Sequence, residues 1–337
     1  MQEIQITAQE EAQRLDRFLQ RMLPGAPKSF LYRMLRKKNI TLNSRKAEGN
    51  ERLSAGDSLQ LFFAEETLQK FGFLPDSSAV QTETAADREA ALFLRPEQIV
   101  LETEHVLIVD KPAGVLSQKA APEDVSMVEI IRAYLTEKGE LTAVSGRRYM
   151  PGVVNRLDRN TSGLLIAAKT LPAARELSVC LKERTLEKYY LALVRGTVAG
   201  DGHMEAYLAR DTRTRAVSVS AEPVPGGAAI RTGWRSLETR GDCTLLEVEL
   251  FTGKTHQIRA HLAFNGHPLA GDVKYGDENW NTRLRKQTGL ARPFLHACRL
   301  TFPADMACIP ELGGRTVTAP LPEDLEGTLR RLGFPAV

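Results

Sequence analysis

Residues 151–169 read PGVVNRLDRNTSGLLIAAK, with apolar runs at both ends and a polar stretch between them. Val153 and Val154 before it, and Leu164 to Ala168 after it, have the composition of buried strands. The polar stretch holds the turn formers Asp158, Asn160 and Gly163, so the segment predicts strand, loop, strand. Asp158 stands between Arg156 and Arg159. Plain turn chemistry accounts for that arrangement, because Asp and Asn favour turns and Gly163 can take φ > 0. A catalytic carboxylate accounts for it too: flanking guanidinium groups would hold the carboxylate in its charged form, close to a core.

Outward from this loop the chain mixes strands and helices. HVLIVDKPAGV (105–115) predicts a strand ending in a Pro-Gly turn, and VSMVEIIRAYLTEKG (125–139) a helix closed by Gly139. LPAARELSVCLKER (171–184) predicts a helix, and KYYLALVRG (188–196) a strand. CTLLEVELFTG (243–253) is a further strand feeding KTHQIRAHLAFNG (254–266), a helix with Thr255 as N-cap and Gly266 as stop. Strands and helices do not alternate regularly. The expected class is therefore α+β, with a mixed, largely antiparallel sheet over residues 98–337.

Residues 1–63 predict a separate, small α+β unit. Leu15, Phe18, Leu19 and Met22 recur at helical spacing, PGAP at 24–27 interrupts, and Phe30, Leu31, Met34 and Leu35 mark a second helix. ITLN and DSLQLFF then read as strands. Residues 64–97, rich in Pro, Ser, Thr and acids without a sustained period, predict a linker that packs in part through Phe71, Phe73 and Leu74.

The bulk numbers bound the class. A chain of 337 residues with 42% hydrophobic content can fill two cores, and a net charge of +3 says little until its distribution is read. Cys180, Cys243, Cys298 and Cys308 form no C-x-x-C pair, which predicts reduced thiols. The polar start MQEIQITAQEE lacks the pattern of a secretory leader, and no apolar run approaches the roughly 18 residues of a membrane helix. A cytoplasmic protein without membrane contact is expected. TGKT at 252–255 resembles the end of a P-loop, but Val248 stands where the first glycine is required. His256 and His261, five residues apart, lack the i, i+4 spacing of a metal pair on a helix. No metal and no nucleotide cofactor is expected.

Residues 28–46 hold seven Lys or Arg and no acid. Arg33, Arg36 and Lys37 share one helix face by spacing, opposite the apolar residues. A solvated helix face is one reading. A footprint for the phosphates of nucleic acid is the other, favoured by the one-signed charge in a chain whose charges nearly balance.

Two resemblances sharpen these alternatives. Residues 13–62, RLDRFL through KSFLYRMLRKKNITLN to AGDSLQL, resemble an S4 domain, which implies RNA contact through Lys28, Arg33, Arg36, Lys37 and Lys38. NRLDRNTSGLLIAAK resembles the central motif of the RluA-type pseudouridine synthases, and VDKPAGV, KYYLALVRG and LFTGKTHQIRAHLAFNGHPLAGDVKYG are similar to its further motifs in the same order. The match runs from about residue 100 to 302. Within that family the arrangement is most similar to enzymes acting on large-subunit ribosomal RNA. The resemblance implies a cofactor-free monomer that isomerises uridine in RNA. It implies Asp158 as the catalytic carboxylate, Tyr190 against the uracil and Arg259 paired with Asp158, while Arg156 and Lys254 are expected to hold the RNA backbone. Asn155 stands where the family commonly has His, and Lys254 where it commonly has Arg. A synthase acting on transfer RNA and a non-catalytic S4-type ribosome-assembly factor are the alternative readings.

Overall fold

A computed structural model describes the chain except for residues 1, 7–9, 72–93, 122–123, 142–148, 211–216 and 336–337. It divides into two compact units: residues 1–91 with 132–150 and 170–172, and residues 92–131 with 151–169 and 173–337.

The first unit is built on helices α1 (Leu15–Met22) and α2 (Lys28–Arg36) and a four-stranded antiparallel sheet. Its strands are β1 (Gln2–Gln5), β2 (Ile40–Leu42), β3 (Arg45–Lys46) and β4 (Ser58–Leu61), in the order β1-β4-β2-β3. Leu15, Phe18, Leu19 and Met22 are all buried, as their spacing predicts, and they join Leu31, Leu35, Ile40, Leu59 and Leu61 in one core. The stretch expected as a linker opens differently. Residues Glu65–Lys70 form helix α3, Leu68 is buried in this core, and Phe71 packs against it. Its apolar residues, too few to show a period, are drawn in by tertiary packing. Phe73 and Leu74 lie outside the described residues.

The second unit carries a mixed sheet. Its main strands are β5 (Ile99–Glu102), β6 (Val106–Lys111), β8 (Ser162–Ala168), β9 (Glu187–Arg195), β10 (Asp201–Arg210), β11 (Val217–Ser220), β12 (Ala228–Arg240), β13 (Cys243–Leu250) and β14 (Leu295–Thr301), with the short β7 (Gly152–Val153) and β15 (Thr316–Thr318) beside them. The order is β11-β10-β12-β13-β9-β14-β8-β6-β5, and β14 with β8 is the parallel pair among antiparallel ones. This is the α+β arrangement expected from the irregular order of elements. Helices α4 (Met127–Glu137), α5 (Leu171–Glu183), α6 (Gln257–Phe264), α7 (Glu278–Thr288) and α8 (Glu323–Arg331) complete the chain. Ala173, Leu177 and Cys180 of α5 share a core with Ile108, Leu164 and Ile166, and Trp280, Leu284, Leu325 and Leu329 share another with Leu193 and Leu245.

One row across the sheet positions the Asp158 loop. Gly163 of β8 pairs with Ala297 of β14, and Ala297 and Val248 both pair with Tyr190 of β9. Gly163 has φ +115, and a Cβ there would lie 2.3 Å from the Ala297 carbonyl oxygen. Only glycine permits so close an approach at that angle. The absent side chain brings the exit of the Asp158 loop against the middle of the sheet.

Candidate active site

The loop between β7 and β8 is held by its backbone. Ser117 Oγ accepts from the Leu157 N–H at 3.0 Å and donates to the Leu157 carbonyl at 2.9 Å. The Arg159 carbonyl accepts from the Gly114 N–H at 2.8 Å and from Lys111 Nζ at 3.1 Å. Lys111, with no exposed surface, also donates to the carbonyls of Pro112 and Val115, both at 2.8 Å. Burial pushes its pKa down to about 7. Its three carbonyl acceptors favour the ammonium, which has three N–H donors to offer them. Arg292 Nη1 reaches the Asn160 carbonyl at 3.2 Å, and Asn155 ties the loop to β8 by accepting from Ile166 N and donating to the Leu164 carbonyl. Asp158 is thus carried on a backbone fixed at the residues on either side of it.

Its side chain meets groups from a distant part of the chain. Arg259 on α6 donates through Nη1 to Asp158 Oδ2 at 3.1 Å. The other side of the same guanidinium grips Asp272, with Nε to Oδ2 at 2.7 Å and Nη2 to Oδ1 at 2.9 Å. Burial opposes the charge on Asp272, but the Arg259 fork and the backbone N–H groups of Lys274 and Tyr275 hold its pKa below the ordinary range. Burial likewise works against Arg259, yet the two carboxylates raise its pKa. His256 Nε2 lies 3.8 Å from Asp158 Oδ2, and its Nδ1 is 2.9 Å from the Tyr275 hydroxyl. Burial lowers the pKa of His256, with Asp158 pulling the other way. Among the described residues Asp158 Oδ1 has no hydrogen-bond partner. One oxygen is therefore anchored, and the other is available for chemistry.

Asp158 lies in a cleft of about 1160 Å³ that is also lined by Tyr190, Arg259, Arg156 and Lys254. Tyr190 is buried, and burial together with nearby Asp158 raises its pKa, so the phenol is neutral. Among the described residues that line it, ten are Lys or Arg and Asp158 is the single acid. Such a lining attracts a polyanion and leaves one carboxylate to meet it. Lys28, Arg33, Arg36, Lys37 and Lys38 belong to the first unit, where all five are exposed along α2 and just beyond it.

Three details differ from the sequence reading. Arg156 and Arg159 do not contact Asp158: Arg159 faces Asp124 at 3.7 Å, and Arg156 lines the cleft as an exposed side chain. The charge partner is Arg259, the one the resemblance implies. Thr255 does not cap α6; the capping position is His256, in the left-handed conformation at φ 56. That turn separates the two histidines of the helix. His261 is buried with Nδ1 3.0 Å from Thr232 Oγ1, whereas His256 opens onto the cleft. Asp272 and Tyr275 are not singled out by the sequence, and His256 is weighed there only as a metal ligand. Nothing local marks Asp272 in GDVKYG, because its role depends on a partner thirteen positions back in the chain.

The chain matches the family described as RNA pseudouridylate synthase over residues 105–264. It is 33% identical to the ribosomal large subunit pseudouridine synthase C of Escherichia coli (strain K12), over 98% of this chain and 96% of that protein. A protein of the same name from Vibrio vulnificus (strain CMCP6) is 32% identical over 95% of this chain and 93% of its own. Among solved structures, human RNA pseudouridylate synthase domain containing 4 superposes with a TM-score of 0.58 at 21% identity, covering 73% of this chain and 96% of that one. That likeness concerns the fold.

Proposed function

The chain belongs to the RluA-type RNA pseudouridine synthases, and from this premise we propose that it converts specific uridines of large-subunit ribosomal RNA to pseudouridine, with Asp158 as its catalytic carboxylate. The reaction cuts the bond from ribose C1′ to uracil N1, turns the base and rejoins it through C5. It imports no group and changes no oxidation state. Cleavage leaves the sugar electron-poor, as in other glycosidic cleavages. A charged carboxylate answers that need by bonding to C1′ or by taking the C2′ proton. Both routes require one oxygen free to reach the ribose. Asp158 has that form, with Oδ2 bonded to Arg259 and Oδ1 open. Tyr190, neutral and buried beside it, offers a ring for the uracil to lie against and a hydroxyl for its polar edge.

The observation that carries this reading is one carboxylate facing ten Lys and Arg among the described residues of the cleft. A uridine inside a helix cannot reach Asp158, so the base must leave its stack while cations hold the flanking phosphates. Arg156 and Lys254, exposed at the cleft, fit that task. In the first unit, Lys28, Arg33, Arg36, Lys37 and Lys38 form the basic face of an S4-like RNA-binding domain. The ribosomal target rests on the two relatives' names and on this basic face. No helix among the described residues is long and apolar enough to cross a membrane. We read the protein as a monomer that acts on ribosomal RNA in the cytoplasm. Purified protein is incubated with a large-subunit ribosomal RNA transcript and, separately, with transfer RNA, and pseudouridines are mapped in both. Conversion in the ribosomal transcript is expected. Conversion confined to transfer RNA would move the target, and binding without conversion would reduce the protein to an RNA-binding factor.

A further inference from the structure

His256 is held in an uncommon way for a residue that would serve only as packing. Its φ of 56 and ψ of 18 place a non-glycine residue in the left-handed region at the mouth of α6. Such conformations persist where the surroundings enforce them and are concentrated at functional sites. The enforcement is visible. Gln257, the next residue, accepts from the Lys254 N–H and from Thr252 Oγ1, and donates to the Arg231 carbonyl and Thr232 Oγ1. The turn thus fixed points the imidazole into the cleft. Tyr275 Oη, 2.9 Å from Nδ1, fixes the ring, and a hydroxyl donating to Nδ1 leaves the hydrogen on Nε2.

Nε2 is then a donor without an acceptor. Asp158 Oδ2, at 3.8 Å, is too far for a hydrogen bond, and among the described residues no other partner lies nearer. The groups facing the ring are Asp158, Arg259, Lys274, Asp272 and Tyr275. Burial favours the neutral ring, which suits a hydroxyl more than a phosphate.

We propose that His256 Nε2–H donates to the ribose 2′-oxygen of the substrate uridine, holding the sugar against Asp158 while the base turns. The inference rests on the pseudouridine synthase reading above. Asp158 must bring Oδ1 to C1′ or to the hydrogen on C2′ by either route. The 2′-oxygen is attached to C2′ and lies two bonds from C1′, so it stays beside the carboxylate throughout. The polar atoms of uracil do not, since they swing away as the base rotates. A phosphate at this point would set its charge against that of Asp158. A donor within 3.8 Å of the carboxylate therefore matches the sugar hydroxyl.

The test uses the uridine that the wild type converts in a large-subunit ribosomal RNA transcript, presented in a short RNA with either ribose or 2′-deoxyribose at that residue. Affinity and single-turnover rate are measured on both RNAs for the wild type, His256→Ala, His256→Gln and Tyr275→Phe. The wild type should lose roughly tenfold, in affinity or rate, when the hydroxyl is removed, the scale of one hydrogen bond. His256→Ala should lose about the same on the ribose RNA and little further on the deoxyribose RNA, since the two changes delete one contact. His256→Gln, which keeps an N–H donor, should recover part of the loss. Tyr275→Phe should weaken the same coupling without touching the ring that makes it. Losses that simply add in both affinity and rate would overturn the assignment, as would His256→Ala behaving like the wild type on the ribose RNA. Absence of any conversion by the wild type would instead refute the synthase reading, and this proposal with it.

Discussion

Arg259 gives the Nε and Nη2 side of its guanidinium to Asp272, at 2.7 and 2.9 Å, and spares only Nη1 for Asp158, at 3.1 Å. The bidentate partner of the arginine is therefore a buried carboxylate with no exposed surface, not the carboxylate in the cleft. Asp272 sets the guanidinium in place, and the guanidinium then sets Asp158. A neutral amide at 272 breaks the buried pair. Asp272→Asn should lower the unfolding free energy by about 3 kcal/mol and slow isomerisation more than tenfold, with Asp158 itself unchanged. Urea unfolding and single-turnover kinetics check the two effects. A stability loss with an unchanged rate would show that Asp158 does not need the anchored arginine.

Lys111 joins two loops by three carbonyl contacts. Lys111→Met keeps most of the volume and removes every donor, so the carbonyls of Pro112 and Val115 lose this partner and the Arg159 carbonyl keeps only the Gly114 N–H. Each such bond is worth roughly 0.5–1.5 kcal/mol. The expected result is a lower melting temperature together with a lower turnover number, because the Arg159 carbonyl belongs to the residue next to Asp158. Turnover equal to the wild type at a temperature where the variant is folded would show that the loop keeps its shape without this clamp.

Arg33, Arg36 and Lys37 are exposed on and after α2, as the residue spacing predicts. Replacing all three by Ala should flatten the plot of log affinity against log salt by roughly two units if each touches one phosphate, at about 0.7–0.9 per contact. Turnover at saturating RNA should stay near that of the wild type. A slope identical to the wild type would remove this face from the RNA interface.

His261 and His296 are buried, and burial pushes both pKa values down to about 4. The unfolded chain takes up protons at these residues near the ordinary histidine value, while the folded chain does not. The stability these two histidines contribute is accordingly full above about pH 6.5 and falls as the pH drops toward 4, by about 1 kcal/mol per pH unit for each, offset in part by buried Asp110, whose pKa is raised to about 6. Unfolding free energies from pH 7.5 to 4.5 should show the decline. His296→Gln should flatten part of it while costing stability at pH 7.5, where Ser162 Oγ loses its partner on Nδ1. A profile that His296→Gln leaves unchanged in slope would mean that this ring takes up its proton as readily in the folded state as in the unfolded chain.

Much of this architecture is legible in the sequence where structure is set locally. The buried spacing of α1, the strand character of LLIAA in β8 and the glycine at position 163 follow from periodicity and turn chemistry. The helix α3, with Leu68 in the first core, is not legible, because a six-residue helix held by tertiary packing leaves no period of its own. In the cleft, Asp158, Tyr190 and Arg259 follow from motif resemblance. The Arg259–Asp158 contact that the resemblance implies is made across 101 positions, whereas the flanking Arg156 and Arg159 stay away from the carboxylate, and nothing in the sequence shows that Asp272 takes the forked side of the guanidinium. Asp272, Tyr275 and His256 act through that same long-range arrangement. His256 even supplies an imidazole near the carboxylate in a chain where Asn155 removes the one expected beside the loop.

The central claim is that Asp158 carries the chemistry. The most direct measurement compares Asp158→Asn with the wild type in single-turnover conversion of the mapped uridine, with RNA affinity measured in parallel. The substitution keeps the shape of the side chain and removes its charge. Conversion should slow by about a hundredfold to ten-thousandfold, with affinity within severalfold of the wild type. Conversion within severalfold of the wild type, at equal affinity, would contradict the account.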